Sequence, residues 1–187
     1  MEFSTLEIAG FVFGVAGVWL TIRENIWCFP IGLINVCISL VLFYQQKLYS
    51  DTIQQFVYII LLSYGWYNWL SGRSERQLRI RRTASSMFII ILAAAAVLSF
   101  SMGWIFSSFT DASFPYIDAG ATSLSFAAQY MIARKKIENW YLWMIVNITY
   151  IAIYINKDLY LYAVLFTVYL LLALAGLSRW KRELHVQ

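Results

Sequence analysis

Trp140, Trp143 and Asn147 fall at i, i+3 and i+7 in an apolar run that continues to Ile155. On a helix this spacing puts two indoles and a carboxamide on one face. The run should cross a membrane. An amide at that depth lies where lipid offers no hydrogen bond, so it has to face protein, substrate or water. Indole faces attract a cationic ring, by roughly 0.5–2 kcal/mol each. An amide can read carboxamides and hydroxyls without carrying a fixed charge. The stripe therefore suits one wall of a binding site for a flat, polar, cationic molecule. Two plainer roles compete with this one. Tryptophans gather at membrane interfaces, which fits Trp140 at the end of the span better than Trp143 a turn deeper. A buried asparagine can also tie two helices together.

Other spans carry polar residues at helical spacing. Asp118, Thr122, Ser125 and Gln129 draw one stripe at i, i+4, i+7 and i+11. Gln129 can face the helix of Asn147, Thr122 and Ser125 suit close packing, and Asp118 lies near the outer surface. Asn35 and Ser39 are a turn apart. Pro30–Ile31–Gly32 ahead of them should loosen the helix and free a carbonyl, or simply kink it, and could act as a hinge. Gln54, Tyr58, Gly65 and Trp69 share a face, with Gln55 adjacent; Gln54 paired with Tyr58 is the pocket candidate there. Gly10, Gly14 and Gly17 give a smooth surface for helix contact.

Enzyme chemistry lacks its residues: there is no paired carboxylate inside a span, no serine–histidine arrangement and no phosphate loop. Cys28 and Cys37 lie on one helix, nine residues apart. At about 1.5 Å per residue they cannot meet in a disulfide. His185, the single histidine, sits in the tail, so neither a metal site nor a cofactor is expected. Without a buried lysine or aspartate pair, proton coupling is unsupported.

The elements that must position these residues follow from composition. Of 187 residues, 61% are hydrophobic and 13% charged, whereas a soluble domain carries about 25% charge. An all-α integral membrane protein follows. Seven spans reach the length that a core of about 30 Å requires: Thr5–Ile22, Ile26–Tyr44, Ile53–Leu70, Met87–Phe106, Tyr116–Ala133, Trp140–Ile155 and Leu159–Leu177. The opening Met1–Glu2–Phe3–Ser4 lacks the basic stretch of a signal peptide, so the first span should be retained. Alternating the loops between the two sides puts 12 of the 14 basic residues on one side, leaving only Lys47 and Lys157 on the other. The positive-inside rule then predicts an outer N-terminus and a cytoplasmic C-terminus. The arginine loop is a topology signal, and nucleic-acid binding is not expected.

Internal similarity runs through the chain. Leu48–Tyr49, Tyr58, Gly65 and Trp69 recur 111 residues later as Leu159–Tyr160, Tyr169, Gly176 and Trp180. Arg23 and Arg134 share that offset, as do Glu7 and Asp118. Small gaps bring Glu24–Asn25 over Glu138–Asn139 and Asn35 over Asn147. Repeat 1 covers about 5–70 and repeat 2 about 116–180, with an inverting linker helix at about 83–106. Three-span repeats joined this way are parallel, related by an axis along the membrane normal. The whole reads as one transmembrane transporter domain, with Asn35 and Asn147 converging on a central pocket.

Phe43–Tyr44–Gln45–Gln46–Lys47–Leu48–Tyr49–Ser50–Asp51, Gly65–Trp66–Tyr67–Asn68–Trp69, the stretch Ala128–Trp140 and the Trp140–Trp143–Asn147 stripe together resemble the PnuC family of bacterial vitamin transporters. The resemblance covers about Asn25 to Trp180. It implies a SWEET-like arrangement of three plus one plus three helices in the inner membrane and a substrate such as nicotinamide riboside; relatives carry thiamine or riboflavin. It also implies facilitated diffusion by alternating access, with phosphorylation trapping the vitamin in the cytoplasm. The family's site carries over onto Gln54, Tyr58, Gln129, Trp140, Trp143 and Asn147, which Asn35 joins through the repeat. The partners implied are the vitamin and the lipid bilayer. Some relatives look trimeric, and nothing in these residues argues for or against an oligomer.

Overall fold

The computed structural model describes residues 5–45, 49–71, 78–109 and 114–186. They form α1 (Thr5–Ile22), α2 (Cys28–Gln45), α3 (Tyr49–Ser71), α4 (Ser85–Phe109), α5 (Pro115–Ala133), α6 (Asn139–Asn156) and α7 (Tyr160–Val186). Each predicted span falls on one of these helices, except that the second begins two residues before α2 and the seventh one residue before α7. Among the described residues the β structure is a single isolated bridge, Arg81 to Lys136. α2, α4 and the Tyr162–Val186 stretch of α7 are long and apolar enough to cross a membrane on composition alone. α4 buries Ala95 and Gly103 and turns Ile89, Ile90, Val97, Phe100 and Trp104 outward. Such a surface needs lipid around it.

The chain divides into two compact units, Met1–Arg79 and Ile80–Gln187. In the first, α1 packs on α2 and α2 on α3. The glycines bring α1 and α2 close: a Cβ on Gly17 would lie 3.8 Å from Gly32 Cα. Pro30 does not loosen α2. It occupies the first turn, where an N–H has no intrahelical acceptor to lose, and the Ile31 N–H bonds the Trp27 carbonyl at 3.1 Å. The expected hinge at this position is therefore an unbroken helix start.

In the second unit α4 packs on α5, α5 on α6 and α6 on α7. α5 is the centre. Its alanines, serines and threonines let neighbours approach closely, and Ala119, Ala128 and Ala133 are fully buried. The segment before α4 is fastened to the α5–α6 loop. The Arg81 N–H donates to the Lys135 carbonyl at 3.1 Å, and the Ile137 N–H to the Arg81 carbonyl at 3.2 Å. Both Glu138 oxygens accept the Thr83 N–H, at 3.1 and 3.0 Å, and one accepts the Thr83 hydroxyl at 2.7 Å.

The loops that close α1 and α5 have one backbone plan. Each ends in a left-handed residue, Glu24 (φ 53°) and Lys135 (φ 49°). The Asn25 N–H bonds the Leu20 carbonyl and the Lys136 N–H the Met131 carbonyl, the six-to-one closure of a Schellman cap. Arg23 lies over the Trp19 ring and Arg134 over Tyr130. Every one of these pairs is separated by 111 residues, with no gap. The gapped pairing of Asn35 with Asn147 therefore fails by one position: Asn147 corresponds to Val36, and Asn35 to Val146. One residue is about 100° of helix rotation, so the two asparagines are not equivalent.

Candidate functional site

α6 carries the aromatic stripe through the second unit. Trp140 is 1% exposed and meets the Trp180 ring edge to face, with centroids 5.3 Å apart and planes at 85°. Its six-membered ring lies over Gly176, where an added Cβ would come within 2.5 Å of Cη2. In the first unit the residues 111 positions earlier, Phe29 and Trp69, make the same contact at 5.0 Å and 87°. Trp140 thus locks α6 to α7 rather than sitting in an interfacial belt.

Trp143 points to the other neighbour. It packs against the cluster of Ala95, Ala127, Ala128, Met131 and Leu142, where α4, α5 and α6 meet. Its indole N–H is buried without an acceptor among the described residues. Asn147 and Gln129 are 3% and 8% exposed, and neither amide bonds another described residue. The Thr122 hydroxyl lies 3.4 Å from the Tyr150 hydroxyl, which sets the level of antiparallel α5 against α6. Equal rise along both helices then brings Ser125 level with Asn147, and Gln129 level with Trp143. Ser125 donates to the Thr122 carbonyl at 2.7 Å, so its hydroxyl is used within α5. Gln129, Trp143 and Asn147 remain as hydrogen-bonding groups at these levels, while Ser123 Oγ, Asn139 Oδ1 and the Trp140 indole N–H are likewise buried without a partner among the described residues. Leaving one such group unpaired away from water costs about 1–3 kcal/mol, and a polar solute would remove that penalty.

The candidates in the first unit are differently placed. The Asn35 amide donates to the Gly10 carbonyl at 2.5 Å, tying α2 to α1. Gln54 and Tyr58 are half-buried on α3. The polar side chains that α3 buries are Thr52 and Gln55, at 7% and 8% exposure. Gln55, adjacent to the candidate Gln54, is thus the more buried of the two. Its sequence signal is the spacing to the buried Leu62 and Trp69, i+7 and i+14, two turns and four turns on.

The α6 stripe also runs further than its first three members. Tyr150 and Tyr154 continue it at i+10 and i+14. The Tyr150 hydroxyl lies 3.4 Å from Thr122 Oγ1, and its ring stacks on Tyr154, centroids 6.0 Å apart at 24°. Tyr154 stacks in turn on Tyr162 of α7, at 5.3 Å and 26°, and Phe166 lies 4.9 Å from Tyr150.

Known proteins share this architecture. The family model described as nicotinamide mononucleotide transporter matches residues 4–182. The nicotinamide riboside transporter PnuC of Escherichia coli strain K12 is 25% identical, over 96% of this chain and 86% of that one. The riboflavin/roseoflavin transporter RibM of Streptomyces davaonensis is 24% identical, over 93% of this chain and 83% of that one. A crystal structure of the vitamin B3 transporter PnuC superposes with a TM-score of 0.78, at 19% identity, over 97% of this chain and 82% of that one.

Proposed function

Because the chain belongs to the nicotinamide mononucleotide transporter family, the PnuC family of membrane transporters, we propose that it carries nicotinamide riboside across the inner membrane. It is a transporter and not an enzyme. The observation that carries the substrate reading is the buried Trp143 indole N–H, without an acceptor among the described residues, with the buried amides of Gln129 and Asn147 on the facing surfaces of α5 and α6. An indole face suits a pyridinium ring, while amides suit a carboxamide and ribose hydroxyls. A phosphate would call for charge-assisted partners such as arginine or lysine. The α5 and α6 spans contain neither, so the riboside fits better than the mononucleotide. Trp140 positions α6 through its contact with α7. In the first unit Gln54, Tyr58 and Gln55 are the candidates for further substrate contacts, and Asn35 shapes that unit.

Carriage is by facilitated diffusion with alternating access, and cytoplasmic phosphorylation traps the vitamin. In support, the polar groups of the α5–α6 stripe below Asp118 are neutral, so they bind without a fixed charge and release readily. The N-terminus lies outside and the basic loops, with the C-terminus, in the cytoplasm. Purified protein in liposomes tests this directly. Labelled nicotinamide riboside should equilibrate unchanged, and Trp143→Ala or Asn147→Ala should abolish uptake while the protein stays monodisperse. Full uptake by both variants would refute the site. A thermal-shift screen with nicotinamide riboside, thiamine and riboflavin separates the substrates, because the true ligand raises the melting temperature with its concentration. Thiamine, also an aromatic cation, is the second reading.

A further inference from the structure

The geometry points to a binding site for an anionic phospholipid headgroup where the segment before α4 clasps the α5–α6 loop, with Arg81, Arg82 and Lys136 as its cations. The site gives the transporter a lipid partner and does not depend on which solute is carried.

Two basic runs that are far apart in sequence meet there. Arg81 and Arg82 come from one, Arg134, Lys135 and Lys136 from the other, and the isolated bridge sets Arg81 opposite Lys136. Ile80 and Ile137 are buried, at 1% and 4% exposure, and pin the clasp from within. Extended backbone turns successive side chains to opposite faces, so Arg81 points outward, and Arg82 is exposed as well. Like charges facing each other across a bridge repel. The Lys136 ammonium donates to the Arg82 carbonyl at 3.3 Å, which keeps it beside both arginines. The one acid in segments 78–87 and 131–140 is Glu138, and both its oxygens accept from Thr83. Neither the Arg81 nor the Arg82 guanidinium has an acceptor among the described residues. An anion received between these cations replaces repulsion with charge-assisted hydrogen bonds, and the guanidinium fork matches a phosphate.

The neighbouring helix selects a lipid over a free anion. α4 begins at Ser85, and Met87 is the first large apolar side chain that it exposes. Ile89, Ile90, Val97 and Phe100 continue that outward face. From Met87 to Phe100 the helix rises about 20 Å, enough to line one leaflet of a hydrocarbon core about 30 Å thick. A phospholipid presents the same order, phosphate first and then chains. Basic side chains at the end of a membrane span attract anionic headgroups. A zwitterionic headgroup brings its own ammonium to a clasp that is already cationic, so a net negative lipid is preferred. Seated there, the phosphate ties the two basic runs together. It thereby fastens the start of α4 to the loop between α5 and α6, the helices that carry Gln129, Trp143 and Asn147.

Native mass spectrometry of the purified full chain in detergent makes the test, with phosphatidylglycerol and phosphatidylcholine of identical acyl chains as probes. Wild type should retain one phosphatidylglycerol at a midpoint concentration about tenfold below that for phosphatidylcholine. Arg81→Gln and Arg82→Gln should each raise the phosphatidylglycerol midpoint about fivefold, and the double variant about twentyfold. Lys157→Gln makes the same charge change at an exposed residue closing the other end of α6, and should stay within about twofold of wild type. In wild type, phosphatidylglycerol should slow tryptic cleavage after Arg81 and Arg82 several-fold, whereas phosphatidylcholine and inorganic phosphate at equal concentration should not. Equal retention of the two lipids, an unchanged midpoint in the arginine variants, or an equal loss in Lys157→Gln would overturn the site. Protection by inorganic phosphate as strong as by the lipid would overturn the lipid as its occupant. If the double variant does not fold, an unchanged midpoint in both single variants suffices to overturn the proposal.

Discussion

Substituting Gly176 by alanine separates packing from recognition at Trp140. An added Cβ would lie 2.5, 2.6 and 2.7 Å from three ring atoms of Trp140. That indole cannot step aside, because it is buried and held edge-on by Trp180. Alanine gains roughly 1 kcal/mol of helix propensity over glycine, whereas overpacking a rigid contact costs typically 1–3 kcal/mol. Three simultaneous overlaps put the cost at the upper end, for a net loss of about 1–2 kcal/mol. In a chain of this size that lowers the melting temperature by about 3–6 °C. Trp140→Phe removes the offending ring, and Phe29 against Trp69 shows that phenylalanine fills the equivalent place. The double variant Trp140→Phe/Gly176→Ala should therefore recover at least about 1 kcal/mol over the sum of the singles. Melting followed by tryptophan fluorescence in detergent, with and without nicotinamide riboside, reads both quantities. A Gly176→Ala variant as stable as wild type, or strictly additive singles, would refute the packing argument. A tenfold or greater loss of ligand affinity in Trp140→Phe would make Trp140 a direct contact.

Asn35→Ala should cost about 1 kcal/mol by freeing the Gly10 carbonyl and leave the half-saturation concentration of uptake unchanged; a pure affinity loss would return Asn35 to the site. Glu138→Ala removes the acceptors of the Thr83 N–H and hydroxyl, and should open the segment around Arg81 and Arg82 to trypsin several-fold faster. Gly103→Ala, whose Cβ would meet the Tyr116 ring at 2.5 Å, should destabilise the α4–α5 contact by about 1–3 kcal/mol; a melting temperature equal to wild type would contradict that geometry.

The helices were readable because each span is a continuous apolar run whose length the bilayer dictates. The sequence pattern also singles out Gln129, Trp143 and Asn147, whose polar groups are buried or half-buried on α5 and α6, as the proposed site. Trp140 has the same residue type and spacing as Trp143, yet one indole fills a gap over a glycine and the other faces α4 and α5. Helical spacing specifies a face and not the neighbour on it. Asn35 illustrates a second limit. Its amide is satisfied by a carbonyl on another helix, and no pattern within α2 announces that. Letter matching with gaps pairs Asn35 with Asn147, whereas the Schellman caps at Glu24 and Lys135 fix the register by backbone geometry and shift that pairing by one position.

That gapless register bears on how many solutes the chain can hold at once. Following it back by 111 residues, Trp143 becomes Gly32, Asn147 becomes Val36 and Gln129 becomes Val18. The glycine cannot be traded for a ring, since even a methyl there would stand 3.2 Å from Leu62 Cδ2 with Gly17 against its backbone. The second unit carries the aromatic and amide residues of the proposed site, and at the matching places the first unit carries a glycine and two valines that pack its helices. A rotation-related copy of the proposed site has no wall to be built from in the first unit, so the expected stoichiometry is a single solute molecule per polypeptide.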